Sequence, residues 1–495
     1  MKHVITAAFP FIPAELSLAH FASTYLPADI FYKFMKLQDH DCIFLSATDV
    51  HGTWIKKKLL DAESNYDSLI SHWDKTYKSN FQSMKIDFSH YHITSDAVLE
   101  KLVHDALWKL KDNNHIYQDE TAVFQCEKCF ELLPKRFRNI GGRTTRTGKV
   151  ELDYNDKQSQ CSFCGSSDIA EKMSEHWFLD LSKHEELIKK VVSNFNSPAI
   201  KNYLLSTINQ GLQPWNFTRD NYLGIKVPFS EDKFVYLWFD SLLGYLIELE
   251  KNNSLNNIDE MSFYHFCGKN IIYYHGIIWP VLLSKGVGKL PKNIQISARG
   301  FLDINNSSNE LVNLDEAFKI FDPDYIRFYL ALRTPDNTSD FAFNIDEFTN
   351  IINDVVCNQI GSFFSRCHSI FVKNSINNTG QVPATNPAWD KWWPEIKQAL
   401  AQTEIRKALF LILKYFKDCG KFISDNKLYI NLRQEDTGIL SNMFAAGLFL
   451  IAPFMPAITK ELNVFSEFEL NSINNLLHLS DKSINHTIRR INKIV

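Results

Sequence analysis

The first fifty residues alternate between strand-like and helix-like apolar patterns, and this order restricts the fold more than any other part of the chain. Apolar runs at Val4–Ala8 and Cys42–Ser46 have the length of buried strands, and the apolar residues between them recur at helical spacing. A strand, a helix and a strand in this order form a parallel pair with a right-handed crossover. Ligands of such sheets bind at the carboxyl ends of the strands, which here lie near Pro10 and Asp49.

The remaining chain divides into regions of different pattern. The α/β pattern covers residues 1–114 and returns in 231–345, with strand-like runs at Phe234–Phe239 and Ile294–Ser297. Residues 115–230 interrupt it and predict an insertion, while residues 346–495 show helical periodicity. We therefore expect a split α/β core with an inserted region and an all-α C-terminal domain.

Charge and hydropathy exclude two classes of protein. The 495 residues include 53 Lys and Arg against 57 Asp and Glu, a net charge of −4, which excludes a wholly basic nucleic-acid binder. Six cations without an acidic residue lie between Lys135 and Lys149, and they either meet an RNA acceptor end or form a solvated loop. No apolar window reaches about 18 residues, so we predict no membrane span.

The cysteine pattern predicts a metal site. Four of the nine cysteines form two Cys-x-x-Cys pairs, at 126 and 129 and at 161 and 164. Two such pairs complete a tetrahedral, structural Zn²⁺ site; the alternative is free surface thiols. An odd cysteine count with paired knuckles favours a reducing cytosol over a disulfide framework, so we expect a cytoplasmic protein.

Several segments, in the same order along the chain, resemble methionyl-tRNA synthetases. They are Ala8–Phe11, Asp49–Thr53, SEHWFLD at 174–180, YLWFDSLLGY at 236–245 and FCGKNIIYYH at 266–275. The resemblance implies a Rossmann-like class I α/β catalytic core, split by a zinc-bearing connective insertion and followed by an all-α, anticodon-binding-type helical domain.

The resemblance also implies an amino-acid pocket. Asp49 would bind the ammonium group, and a carboxylate at a strand end is a good partner for that cation. The family has Ala and Pro at positions 241 and 242, so the pocket is reshaped and would take methionine or a similar amino acid. The alternative is that these aromatic residues are core. The other substrate-binding candidates are Phe9, Phe11, Trp238, Ser241, Leu242, Tyr245, Ile271 and His275.

Both ATP signatures of the family are altered. The first reads Ser17-Leu18-Ala19-His20, so only its second histidine is kept, and no lysine lies between Lys292 and Lys319, where the family has a lysine-rich loop. Losing one group that stabilises transferring charge costs a factor of about 10²–10³, so adenylation would be slow unless the site has drifted and other groups took over. The resemblance places catalysis at His20, Ser17 and Arg219 and nucleotide binding at His20, Lys269, Asn270 and Arg299.

The helical domain keeps part of a tRNA site. Arg366 matches a family position near the anticodon, and Tyr429 stands where the family stacks a tryptophan on it. Three functions remain open: a paralogue repurposed for amino-acid ligation or transfer in small-molecule biosynthesis, a divergent ATP-dependent methionine–tRNA ligase, and a non-catalytic protein that binds an amino acid or tRNA. The expected cofactors are Zn²⁺ and, if adenylation persists, ATP. The expected partners are an amino acid with either tRNA or a small-molecule acceptor.

Overall fold

A computed structural model describes residues 2–62, 65–133, 138–139, 160–161, 163–303, 314–374 and 386–464, which are built around one parallel sheet. The strands are β1 His3–Ala7, β2 Cys42–Thr48, β3 His90–Ile93, β4 Ile116–Cys126, β5 Arg138–Asn139, β6 Gln160–Cys161, β7 Ile169–Leu179, β8 Trp215–Asn216, β9 Thr218–Asp220, β10 Lys233–Val235, β11 Ser262–Gly268, β12 Asn293–Arg299, β13 Leu302–Asp303 and β14 Phe341–Ala342. The central sheet has the order β12–β11–β1–β2–β3, and every neighbouring pair is parallel. The predicted parallel strand–helix–strand unit is confirmed.

Helices cover both faces of the central sheet. Alternate residues of β1 face opposite cores, with Val4 in one apolar cluster and Ile5 in the other. Among the described helices, none combines the length and the apolar character needed to span a bilayer. The main helical segments are 18–37, Thr53–Ala62, Tyr66–Ser83, Ala97–Asp112, Glu185–Ser193, Pro198–Asn209, Leu237–Gly244, Ile247–Lys251, 269–287, Leu314–Ile320, Pro323–Arg333, 345–373, Pro387–Ala401, Ile405–Asp425, Gln434–Ile451 and Pro456–Val464.

Two helices beside the sheet contain a proline. In each of them the helical turn just before the proline holds one residue more than an ordinary α-helical turn. Leu26 N–H donates to the carbonyl of Phe21, and Trp279 N–H donates to that of Tyr274, so both bonds span five residues. Pro27 and Pro280 follow directly. Because proline has no N–H to donate, the wider turn lets each helix continue past it.

The inserted region is an antiparallel ribbon. Strands β4 and β7 pair over their full length, from Ile116 opposite Leu179 to Cys126 opposite Ile169, and β8 adds to β7. The division into four regions stays a prediction, but the central sheet does draw its strands from the first and third of them.

One sequence expectation is wrong in this part of the chain. The run Phe234–Phe239 is a strand only as far as Val235, and residues from Leu237 onward are helical. Tyr236 N–H still donates to the carbonyl of Phe217, whereas Phe239 N–H already donates to that of Tyr236 and starts a helical turn. Aromatic residues have strand propensity, but here tertiary packing of the turn overrides it.

A buried ion pair joins the α/β core to the helical region. Arg327 and Asp29 are both fully buried and 2.7 Å apart, and Lys33 also contacts Asp29 at 2.7 Å. Arg327 donates to the carbonyl of Met84 in the core at 2.8 Å and to that of Phe454 in the helical region at 3.2 Å. Its guanidinium therefore fixes how the two parts pack.

We predict that Asp29→Ala lowers the free energy of unfolding by about 3–5 kcal/mol, because it leaves Arg327 as an uncompensated buried charge. Chemical denaturation followed by circular dichroism measures this. Glu250→Ala is the control: it removes a partner of the exposed Lys101, 3.1 Å away, and should cost under about 1 kcal/mol. An equal loss of unfolding free energy in the two variants would contradict the stabilising role of the Asp29–Arg327 pair.

Candidate active site

Asp49 is the centre of a buried polar cluster at the carboxyl edge of the sheet. It follows β2 and is 3% exposed. Its Oδ2 accepts from Ser241 Oγ at 2.8 Å, and its Oδ1 accepts from the His51 N–H at 3.1 Å and from Thr94 Oγ1 at 3.3 Å. Burial, together with the nearby carboxylate of Asp240, raises the pKa of Asp49 to about 6.

A second carboxylate and an imidazole complete this cluster. Asp240 is fully buried and hydrogen-bonded to His51 Nδ1. Burial lowers the pKa of His51, but the charge and hydrogen bond of Asp240 raise this pKa by more than burial lowers it. The net shift of the His51 pKa is therefore upward. Two buried carboxylates share this cluster with one imidazole, so the cluster suits an added cation such as an ammonium group.

The predicted side-chain pocket residues lie beside this cluster. The ring centroids of Phe9 and Tyr245 are 4.7 Å apart, and Trp238 stacks on Tyr274 with a centroid distance of 4.5 Å. Gly244 allows this packing, because a Cβ there would lie 2.7 Å from the ring of Phe9. Leu242 and Ile271 are buried in the same apolar cluster.

A tyrosine and a neutral histidine add polarity to the pocket. His275 Nδ1 donates to the carbonyl of Ile271 at 3.0 Å, so its Nε2 accepts from the Tyr245 hydroxyl at 3.0 Å. Burial lowers the pKa of His275 to about 4, which keeps the ring neutral near pH 7. The hydroxyl oxygen of Tyr245 is thereby held in one orientation.

Two of the predicted pocket residues take other positions. Ser241 was expected in the side-chain wall, but its hydroxyl is directed to Asp49, the expected ammonium ligand. Phe11 is 46% exposed, and its carbonyl accepts from the Tyr77 hydroxyl at 2.8 Å. Phe11 therefore lies at the rim and serves the fold through its backbone.

The four knuckle cysteines converge in the inserted ribbon. Their Sγ atoms all lie within 4.8 Å of one another, with Cys126 to Cys164 at 3.5 Å and Cys129 to Cys161 at 3.7 Å. A tetrahedral Zn²⁺ with Zn–S bonds of about 2.3 Å needs edges of about 3.8 Å, so the cluster fits this ion.

A residue beside the cysteine cluster contacts the α/β core. Glu131, next to the first knuckle, pairs with Lys56 at 2.8 Å. Lys56 lies on the helix that starts directly after the Asp49 segment. The first knuckle is thereby linked to the segment that carries Asp49.

Residues 3–368 match a family model described as tRNA synthetases class I (M). The chain belongs to the class I methionyl-tRNA synthetase family. A methionine–tRNA ligase of Francisella tularensis is 28% identical over 519 residues, covering 95% of this chain and 75% of that protein. One of Methanobrevibacter smithii is 29% identical over 507 residues, covering 94% and 76%. The fold is shared with a Mycobacterium tuberculosis methionyl-tRNA synthetase bound by methionyl-adenylate, with a TM-score of 0.79, 18% identity and coverage of 98% of this chain and 99% of that one.

The first nucleotide signature of this methionyl-tRNA synthetase family member starts the helix at 18–37. His20 is exposed, and its Nδ1 accepts from the backbone N–H of Ser17 at 3.1 Å, with Ser17 Oγ at 3.0 Å. This bond places the ring proton on Nε2. Ser17 therefore orients the ring of His20.

The other predicted nucleotide residues are spread over the strand ends. Lys269 Nζ bonds both carboxylate oxygens of Asp340, at 2.6 and 2.8 Å, and Asn270 is exposed. Arg299 is 1% exposed and donates to Ser297 Oγ at 2.8 Å and to the carbonyl of Thr403 at 3.0 Å. Arg299 therefore joins the core to the helical region. The lysine-free loop lies, apart from Asp303, outside the described residues.

The predicted tRNA residues are on the surface. Arg366 is exposed and donates to the carbonyl of Ser362 at 3.2 Å, and Tyr429 is 51% exposed. Lys373, on the same helix as Arg366, donates to the carbonyl of Tyr429 at 2.9 Å. Their contact with tRNA stays a prediction. In the basic stretch 135–149, the structure describes only the backbone of Arg138 and Asn139.

Sequence reasoning missed Thr94 and the pairing of His51 with Asp240. His51 and Asp240 lie within segments that resemble the family, so their motif positions are a usable signal. Thr94 has no local signal, because it follows β3 and reaches Asp49 only through the sheet.

We predict that methionine binding weakens about tenfold per pH unit below pH 6, since an ammonium ligand needs ionised Asp49 and protonation removes that charge. Calorimetric titration between pH 7.5 and 5, with folding checked by circular dichroism, measures the effect. Ser241→Ala should shift the midpoint to higher pH, because the Ser241 hydrogen bond lowers the pKa of Asp49. An affinity that is constant over this range would contradict the role of Asp49.

We predict one Zn²⁺ per chain and its loss in Cys161→Ser, because three thiolates no longer close the tetrahedral site. Metal analysis of the purified protein and a colorimetric zinc-release assay measure this. Cys357→Ser is the control, since Cys357 is buried among helices away from the cluster and should leave zinc content unchanged. Full zinc in Cys161→Ser would contradict the four-thiolate site.

Proposed function

We propose that this chain binds methionine, or an α-amino acid of similar size, and transfers it to an acceptor outside translation. The supporting observation is the buried carboxylate of Asp49 beside the rings of Phe9, Tyr245 and Trp238. The two buried carboxylates of Asp49 and Asp240 favour a cation, so a free α-amine should bind and a blocked amine should not. The oriented hydroxyl of Tyr245 and the aromatic ring of Trp238 suit a thioether, which makes favourable contacts with ring edges.

The contacts of the residues expected to bind the nucleotide favour slow adenylation. In that step the amino-acid carboxylate attacks the α-phosphate of ATP and pyrophosphate leaves, so cations and donors must stabilise the transferring charge. Ser17 replaces one such donor and is bonded to the other, His20. Lys269 is neutralised by Asp340. A poor adenylation site beside a formed amino-acid site favours a repurposed paralogue.

A divergent methionine–tRNA ligase is the second candidate function. It is supported by relatives that carry this name and align with about 95% of the chain. The exposed His20, with its proton on Nε2, is a donor that a phosphate oxygen accepts. In either function the zinc thiolates need a reducing compartment, so we expect the protein in the cytoplasm.

We predict that methionine-dependent pyrophosphate exchange is at least about 10²-fold slower than for an ordinary methionyl-tRNA synthetase assayed beside it. The double change Ser17→His with Ala19→Gly should raise exchange, because it restores the first signature. Exchange at the ordinary rate would support the ligase and contradict the repurposed function.

Calorimetry separates the remaining alternatives. Methionine should bind the wild type, and Asp49→Asn should abolish binding, while Asp87→Asn, a change at an exposed carboxylate, should not. Methionine binding without transfer to any offered acceptor would support the non-catalytic alternative. Absence of methionine binding would contradict the amino-acid pocket itself.

A further inference from the structure

Two histidines lie together on the outer strand of the central sheet. His90 and His92 belong to β3, the last strand in the order of that sheet. Residues two apart in a strand point to the same face. The two imidazole rings are accordingly parallel, with an interplanar angle of 5° and centroids 6.3 Å apart. A pair of this kind presents two nitrogen donors to one region of the surface.

Glu248 reaches both rings from a neighbouring helix. It belongs to the helix Ile247–Lys251, and its Oε2 lies 3.3 Å from His90 Nδ1 and 3.3 Å from His92 Nε2. Within the described part of the chain, these two imidazoles are the only ion-pair partners of Glu248. Two imidazoles and one carboxylate are the protein ligands of many open zinc sites, in which water takes the remaining position.

The inner ring, His92, has a nitrogen without a hydrogen-bond partner. Its Nε2 is buried, and the Glu248 oxygen 3.3 Å away does not form a hydrogen bond with it. Buried nitrogens without a partner are uncommon and need an explanation. Burial and the charge of Lys251 lower the pKa of His92, so its ring is neutral near pH 7. A neutral imidazole has the lone pair that a metal ion binds.

The lysine nearest to this cluster is paired with another residue. Lys251 pairs with Asp96, so the charge of Glu248 is left to the two imidazoles. Metal–ligand bonds of about 2.0–2.2 Å require the three side chains to turn toward one point. His90 can make this turn, because 40% of its side chain is exposed. A metal ion would therefore enter without displacing Lys251.

We propose that His90, His92 and Glu248 bind one divalent transition-metal ion, with water at the open position. Imidazole ligands suit Zn²⁺, Ni²⁺ and Cu²⁺, whereas Mg²⁺ and Ca²⁺ prefer oxygen ligands. The site shares no residue with the four-cysteine cluster, and it does not depend on the function proposed above.

The ion would join two segments that lead to the predicted amino-acid pocket. Thr94 follows β3 directly, and its hydroxyl donates to Asp49 at 3.3 Å. Tyr245 precedes the helix of Glu248 by two residues. The bound ion would hold the edge strand against this helix and thereby stabilise the folded chain.

Calorimetry with NiCl₂ tests the proposal. The protein carries no affinity tag, its cysteine site is loaded with zinc, and excess Mg²⁺ in the buffer occupies sites that take any divalent cation. We expect one Ni²⁺ per chain, with the zinc content unchanged after the titration. Ni²⁺ should also raise the melting temperature, because it binds the site only in the folded chain.

Three variants locate the nickel. His90→Gln and Glu248→Gln should each weaken nickel binding by about tenfold or more, since even the loss of a residue that only orients a metal ligand costs roughly 10–100-fold. Both should lose the nickel-dependent rise in melting temperature. His72→Gln changes an exposed histidine on the helix Tyr66–Ser83 and should bind nickel like the wild type. Circular dichroism without nickel checks that each variant is folded.

Three results would overturn the metal site. They are the absence of nickel binding in excess Mg²⁺, an equal nickel affinity in the wild type and in His90→Gln, and an equal loss of affinity in His72→Gln. The first result would leave the two histidines and Glu248 as an ion-paired cluster of the fold. The other two would place the nickel at other groups of the surface.

Discussion

The parallel pairing of β1 with both β2 and β11 is the constraint on which the rest of the structure depends. The three strands come from two parts of the chain, separated by the whole inserted ribbon, yet Val4 lies opposite both Ile43 and Phe263. Because parallel strands end at the same edge, this pairing brings the segment after β2 next to the helices that precede and follow β11. Asp49, Ser241 and His275 meet only through this sheet.

Burial then sets the chemistry of that edge. Asp49 and Asp240 are both removed from water. Ser241, Thr94 and the His51 backbone donate hydrogen bonds to Asp49, and the His51 imidazole bonds Asp240. Such a cluster is stabilised further by a ligand that brings one positive charge. The buried carboxylates therefore make this edge suited to a cationic group, and burial keeps the Tyr245–His275 pair neutral.

The amino-acid side and the nucleotide side of this edge differ in how their polar groups are used. On the proposed amino-acid side, hydrogen bonds connect Ser241 to Asp49 and Tyr245 to His275. On the nucleotide side, Ser17 is bonded to His20, Lys269 to Asp340, and Arg299 to Ser297 and Thr403. These contacts stabilise the protein itself. The relatives are named methionine–tRNA ligases, and the fold is shared with a methionyl-tRNA synthetase of known structure.

The sequence by itself determined the parallel strand–helix–strand core and the four-cysteine cluster, because hydrophobic periodicity and knuckle spacing are local properties. It was wrong about the end of β10, and it did not indicate Thr94, the bond between Ser241 and Asp49 or the bond between Arg299 and Thr403. These depend on tertiary structure: Ser241 meets Asp49 across 192 residues, Arg299 meets Thr403 across 104, and Thr94 meets Asp49 across 45. The direction of a buried hydroxyl or guanidinium is decided by which backbone segment packs against it, and that packing exists only in the folded chain.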